Sequence, residues 1–321
     1  MKEELSTKAM RDVLIDRIYK KMHRHKKIFF LSADFGSPAL DRLKRKFKDR
    51  FINVGIAEQN LINLATGLAL EGFVVYAYAI APFLTMRAYE QIRVNLSITS
   101  QLKEINVNLI GVGAGLSYDV SGPTHHCLED VTIMRVLPNV MVFSPSDCVL
   151  VEKFVDVTLN TKKPKYLRFD GKPLPRIYDR KYHINLLDGF FELKKGKEIC
   201  IISTGYMTHI SLKVAKRLLE DRIKIGVVDM FLLQPFNKQL LYEVLKRYKI
   251  VITIEEAFIE KGGLDSIISR LLLESNRLNI VLMRIGFKEK YIFCSGSRDY
   301  LHRLVGLDED SIVDMIKNLS I

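Results

Sequence analysis

The segment Phe51-Ile-Asn-Val-Gly55-Ile-Ala-Glu58-Gln-Asn-Leu-Ile-Asn-Leu-Ala-Thr-Gly-Leu-Ala-Leu-Glu-Gly72 decides the fold class. It begins with a short, β-prone apolar run, FINVG, and continues with apolar residues at helical spacing from Glu58 onward. The run that follows, VVYAYAI, is again strand-like. A strand, a helix and a second strand in this order form a βαβ unit, whose two strands run parallel.

The same alternation extends in both directions. Upstream, the pattern predicts an amphipathic helix near residues 8–25, a strand over residues 28–34 and a helix over residues 40–47. Downstream it predicts a helix through MRAYEQIRVNLSI, a strand NVNLIGVG from Asn106, a helix over residues 129–136, a strand and turn VMVFSPSD, and a helix over residues 149–159. Short, continuously apolar strands between helices imply a parallel sheet covered on both faces. The alternation then lapses across a charged stretch with Pro164, Pro173 and Pro175, apart from the short strand YLRFD, which marks a connection between domains. It resumes with EICIISTG, a helix over residues 209–220, KIGVVDM, a helix after Gln234-Pro235-Phe236-Asn237, VITIEE, a helix opening at Gly262-Gly263, and NIVLMRIG. The expected architecture is α/β, with two parallel-sheet domains: a larger one over residues 1–162, a linker over 163–195 and a smaller domain over 196–321.

A chain of 321 residues with 48% hydrophobic content is long enough to bury a sizeable core in two domains of about 100 to 200 residues each. Its N-terminus is charged and amphipathic, without the apolar segment of a secretory signal. The most apolar region, residues 61–84, is interrupted by Glu71-Gly72 and falls short of the ~20 uninterrupted apolar residues of a membrane span. Four scattered cysteines form no CxxC pair, so neither a zinc site nor a disulfide framework is expected, and a reducing cytoplasm fits best. The net charge of +12 could signal nucleic-acid binding, yet the basic runs have helical spacing with apolar residues between them, as on solvated helix faces. No nucleic-acid module is apparent. The charge better suits anionic, phosphorylated substrates or an acidic partner chain.

Glu58 is a single carboxylate at the start of an apolar helix. The helix dipole alone favours an acid there. In an apolar site, however, such a group either carries a raised pKa or holds a proton against a bound nitrogen base. Phe83, Met86 and Tyr89 follow a buried strand at spacings of three, so helical geometry would set them on one side as a wall for a flat heterocycle, or simply as core. Further on, Gly111-Val-Gly113-Ala-Gly115-Leu-Ser117-Tyr-Asp119-Val-Ser121-Gly-Pro123-Thr124-His125-His126 is a glycine-rich loop after a strand. Its GxGxG spacing, with no helix directly behind it, is not a dinucleotide fingerprint. Histidine titrates near neutrality and suits the handling of hydroxyl and carbonyl protons.

These three segments together resemble the transketolase family of thiamine-diphosphate enzymes. GIAEQ matches the family signature whose Glu bonds N1′ of the aminopyrimidine and shuttles the activating proton, a role that falls on Glu58. The segment around Phe83, Met86 and Tyr89 is similar to the family stretch lining the aminopyrimidine pocket, with Phe83 in the stacking position. Gly-Pro-Thr-His is similar to the family loop whose His binds sugar and moves protons, which implies that role for His125. The family often places an Asp where this chain has Ser121, so donor specificity is open there, and Asp119 is the nearest acid. Ser32-Ala-Asp34-Phe-Gly-Ser37 resembles a family stretch near cofactor and substrate but is one residue shorter. It implies roles for Asp34 and Ser37. Arg168 in YLRFD stands where relatives read the substrate phosphate, a task suited to a guanidinium. Glu255-Glu256 with Lys261-Gly-Gly-Leu264 resembles a C-terminal-domain segment that serves assembly.

Thiamine diphosphate needs Mg²⁺ held by oxygen ligands, which the family supplies from a Gly-Asp-Gly…Asn motif. That motif does not occur in this chain. The resemblance therefore implies the C-terminal half of a split transketolase, with diphosphate-binding domain and Mg²⁺ ligands on a separate subunit, in an αβ or α₂β₂ assembly. Its activity would be transfer of a two-carbon ketol unit from a ketose, phosphorylated by expectation, to an aldehyde. The β subunit of a 2-oxoacid dehydrogenase E1 component has the same two-domain plan, but GIAEQN and GPTHH favour transketolase. A deoxyxylulose-phosphate synthase would carry an Arg near Ala114. A catalytically silent regulatory paralogue is the alternative outside enzymology.

Overall fold

The computed structural model describes residues 8–275 and 279–319. Two compact units divide them: one runs through Ala114 and adds Ile133–Tyr182, the other joins Gly115–Thr132 to the chain from His183 onward. The first unit is built on β1 (Ile28–Ser32), β2 (Phe51–Asn53), β3 (Val74–Ile80), β4 (Asn106–Val112), β5 (Met141–Phe143) and β6 (Lys165–Phe169). They lie in the order β5-β6-β4-β3-β1-β2, with every pairing parallel. β4 and β6 are buried at every position, because helices cover both faces of the sheet. The helix Glu58–Leu70 turns Leu61, Ile62, Ala65 and Ala69 inward, as its spacing predicts.

From β1 the chain steps to β2 on one side and then to β3 on the other. A parallel sheet with this order opens a crevice beyond the carboxyl ends of the two strands where direction reverses, and ligands bind there. Asp34 follows β1, Glu58 follows β2 and Phe83 follows β3, so three expected site residues come off the carboxyl edge beside the β1/β3 switch point.

The expected linker is shorter than the composition shift suggests. β6 is inserted between β4 and β5, so residues 165–169 are central sheet rather than connection. Farther along, Asp147 holds the chain at Ile177 and Tyr178. One carboxylate oxygen caps the helix Cys148–Asn160 through the amides of Val149 and Leu150, and the other accepts the amides of Ile177 and Tyr178. The glycine loop, expected within the first domain, is divided: it belongs to the first unit through Ala114 and to the second from Gly115 onward.

The second unit contains β7 (Phe190–Lys194), β8 (Ile199–Ser203), β9 (Gly226–Met230), the short β10 (Leu232–Gln234), β11 (Ile250–Phe258) and β12 (Val281–Phe287). Five of these form a sheet in the order β12-β11-β8-β9-β7, parallel except at β7, which runs antiparallel along the edge. Two helices lie beyond the elements read from the sequence, Arg298–Val305 and Glu309–Lys317. Ile312, Val313 and Ile316 of the latter join Val214 and Leu218 in one core.

Replacing Asp147 with Ala strands four amide donors, three of them buried, and removes a helix cap. It should lower stability by about 3 kcal/mol, measured as a shift of the urea unfolding midpoint. An unchanged midpoint would contradict this account of residues 147–178.

Candidate active site

In the first unit the site is organised by Glu58. It occupies the first position of its helix, where Ala57 offers no side-chain cap, and it is only 3% exposed. The carboxylate is not alone, contrary to the sequence expectation: Glu58 Oε2 accepts a 2.6 Å hydrogen bond from Arg87 Nη1. The same guanidinium lies over the Phe83 ring at 4.9 Å from its centroid. Arg87 thus ties the buried carboxylate to the half-buried aromatic ring expected to stack a heterocycle.

The spacing argument for Phe83, Met86 and Tyr89 does not survive intact. Residues Phe83–Arg87 and Ile92–Ile98 are π-helical, with only Tyr89–Gln91 in α-helical geometry between them. Hydrogen bonds reaching to the fifth residue widen the turn, so residues three apart no longer stack in one row. Met86 is accordingly exposed, while the Tyr89 hydroxyl donates to the carbonyl of Ile133. π-Helical turns recur at functional sites, and this one delivers both Phe83 and Arg87.

Asp34 adopts a left-handed backbone with φ of 51°, and Asn53 bridges it to the Glu58 approach. Asn53 Oδ1 accepts the amides of Asp34 and Gly55, while its Nδ2 donates to the Asp34 carboxylate. Asp34 is exposed and Arg168 is buried near the carboxyl end of β6. Ser37 is accounted for without a ligand: its hydroxyl caps the helix Pro38–Lys46 through the Ala39 amide and donates to Asp12.

In the second unit, His125 is half-buried with Nδ1 3.1 Å from Thr124 Oγ1, and Ser121 is exposed. The neighbouring His126 is buried, which lowers its pKa below the ordinary imidazole value. The loop carrying them is clamped by charges that the sequence reading missed. Arg298 forks onto Glu256 through Nε at 2.8 Å and Nη2 at 2.5 Å, and His302 Nε2 meets the same carboxylate at 2.5 Å. Glu256 also accepts the Leu116 amide, while the Arg298 amide donates to Asp119. The Arg298 guanidinium covers the Tyr206 ring at 3.5 Å. Gly115 must lack a side chain because a Cβ would run into Glu256. Asp119, the nearest acid to Ser121, is therefore buried in this clamp.

Burial alone would raise the Glu256 pKa, but the Arg298 charge and fork, aided by His302, outweigh it and hold the carboxyl well below the usual range. Its neighbour Glu255 faces the other way along β11 and accepts the amides of Leu264 and Asp265, capping the helix Leu264–Glu274. Gly263 leaves room for that carboxylate. The Glu-Glu…Gly-Gly-Leu pattern thus has two structural purposes, a helix cap and a loop clamp. Its pairing with Arg298 and His302 had no sequence signal beyond their spacing of four on a helix. Among the described residues, no group of three or more His, Cys, Asp or Glu side chains could hold a metal ion.

The fold and site define an α/β protein with a buried acid at the carboxyl edge of a parallel sheet, linked through Arg87 to an aromatic ring. The family model described as transketolase, pyrimidine binding domain, matches residues 6–175, and that for the transketolase C-terminal domain matches residues 191–312. An apulose-4-phosphate transketolase subunit from Actinobacillus succinogenes is 34% identical over 277 residues, 86% of either chain. Mouse transketolase is 30% identical, but its match covers 92% of this chain and only 46% of the mouse protein. A solved structure described as a split gene transketolase, inactive beta4 tetramer, superposes with a TM-score of 0.84 at 30% identity, covering 96% of this chain and 97% of the other. The chain belongs to the transketolase family and carries its pyrimidine-binding and C-terminal domains.

Glu256→Gln should cost about 3 kcal/mol at pH 7, because it leaves the buried Arg298 charge uncompensated. The wild-type carboxylate has a depressed folded pKa, so its contribution is full at neutral pH and falls away from about pH 4.5 downward. The stability gap between wild type and Glu256→Gln, followed by urea unfolding, should narrow between pH 7 and pH 3. A gap that stays constant would contradict the clamp.

Proposed function

We propose that this chain is the C-terminal subunit of a split, thiamine-diphosphate-dependent transketolase that moves a two-carbon ketol unit from a ketose to an aldehyde. The observation that carries the reading is Glu58: a carboxylate buried at a helix start at the carboxyl edge of the sheet and joined through Arg87 to the Phe83 ring. An acid and an aromatic face are the donor set that an aminopyrimidine requires. Glu58 would hold and return a proton at the ring nitrogen N1′, and Phe83, with Met86 and Tyr89 farther along the segment, would border the ring. When bound, thiamine diphosphate supplies an electron sink for breaking and remaking a carbon–carbon bond next to a carbonyl.

The remaining roles belong to substrate. His125 would exchange protons with sugar hydroxyl and carbonyl oxygens, with Ser121 beside it on the same loop. Arg168 would read a substrate phosphate and Asp34 a polar group near the cofactor. The Ser37 role would be indirect, since its hydroxyl is already shared with Asp12 and the helix cap. A phosphorylated donor is favoured by the net charge of +12 and by the name of the Actinobacillus relative. The diphosphate-binding domain and the Mg²⁺ ligands would come from a separate subunit, in an α₂β₂ complex. The match to just under half of the mouse enzyme supports that division. Four cysteines that form no disulfide, three of them buried, suit a reducing cytoplasm.

In the complex reconstituted with a diphosphate-binding subunit, Glu58→Gln should reduce kcat by at least about 100-fold, the scale of a lost proton-transfer group, while leaving the melting temperature within a few degrees. Retention of most of the activity would defeat the assignment. The isolated chain, given thiamine diphosphate and Mg²⁺, should show no turnover.

A further inference from the structure

We infer that Arg87 is a latch on the pyrimidine site, occupying both the carboxylate and the aromatic face that the ring would use. The inference rests on the reading of Glu58 given above and adds a residue that controls access to it. Glu58 is buried to 3% exposure, and Arg87 Nη1 donates to its Oε2 at 2.6 Å. Meanwhile the Arg87 guanidinium covers the Phe83 ring at 4.9 Å from its centroid. A nitrogen heterocycle that stacks on Phe83 and exchanges a proton with Glu58 needs the same two partners in the same two places. The guanidinium also occupies the carboxylate oxygen, Oε2, that a ring nitrogen would otherwise meet.

The pair is built to open. The Arg87 side chain is 46% exposed, so water solvates the guanidinium as soon as it lets go, and a half-exposed ion pair of this kind is weak. Arg87 is also the last residue of the π-helical turn Phe83–Arg87, so its swing requires no break in a regular α-helix. The thermodynamic consequence follows from competition: cofactor affinity is reduced by the fraction of molecules whose latch is closed. Removing the charge while keeping the apolar stem against Phe83 removes that competition.

The test uses the complex with its diphosphate-binding subunit, titrated with thiamine diphosphate at fixed Mg²⁺ by isothermal calorimetry. Arg87→Met should bind about fivefold tighter than wild type, corresponding to a latch closed roughly four-fifths of the time. Arg87→Lys, which retains a cation on a similar stem, should stay closer to wild type. Tighter binding cannot arise from general damage to the fold, and melting temperatures of both variants provide the control. Affinity of Arg87→Met equal to or weaker than wild type would overturn the latch. Combining Arg87→Met with Glu58→Gln separates the two claims. If the double variant keeps full turnover, the role of Glu58 fails, whatever the single variant shows about Arg87.

Discussion

The candidate site depends on one carboxylate, Glu58, held out of water. Burying an ionised acid is costly unless a partner and hydrogen bonds offset it. Here the offset comes from the helix start, where unpaired amides and the positive end of the dipole favour an anion, and from Arg87 at 2.6 Å. The strand order around β1 then puts that acid at the carboxyl edge of the sheet, beside the point where the strand order reverses. A fully satisfied internal charge would be inert. Arg87, by contrast, pairs with Glu58 from a half-exposed position.

The second unit solves a different problem with the same chemistry. A glycine-rich loop has little side-chain bulk to fix its path, and the loop of residues 115–128 is instead anchored from outside. Glu256 binds the Leu116 amide, Arg298 binds Glu256 in a fork, and the Arg298 backbone amide closes back onto Asp119. Each group is buried and paired, so the anchor is rigid where a surface ion pair would not be. The segment resembling an assembly motif is therefore also the mount for the loop that carries His125.

Much of this was legible in the sequence because parallel sheets write a strong signal. The run VVYAYAI is apolar at every position, and NVNLIGVG at all but Asn106 and Asn108, a pattern that suits strands covered on both faces. The Glu58 helix was equally clear from its spacing and its burial follows it. What failed was geometry that depends on tertiary partners. The helix after β3 reads as α-helical by composition, yet it folds as π-helix, and a three-residue spacing lost its meaning there. Arg87, Arg298 and His302 look like ordinary surface residues in a chain carrying 49 Lys and Arg, and only the folded chain shows that each faces a buried acid. The linker boundary has the same origin: the strand YLRFD was legible, but only the folded chain shows that it lies between β4 and β5 in the first sheet.

A protein whose acid and aromatic face are present, and whose match in a full-length relative stops at under half of that protein, is chemically half of a site. The central claim is that Glu58 meets the cofactor ring in a complex with the other half. A crystal structure of the reconstituted pair with thiamine diphosphate and Mg²⁺ tests it directly. The account predicts a Glu58 oxygen at about 2.6–3.0 Å from N1′, a hydrogen-bonding distance, with the Arg87 guanidinium withdrawn from Phe83. A ring seated elsewhere, with Glu58 still paired to Arg87, would contradict it.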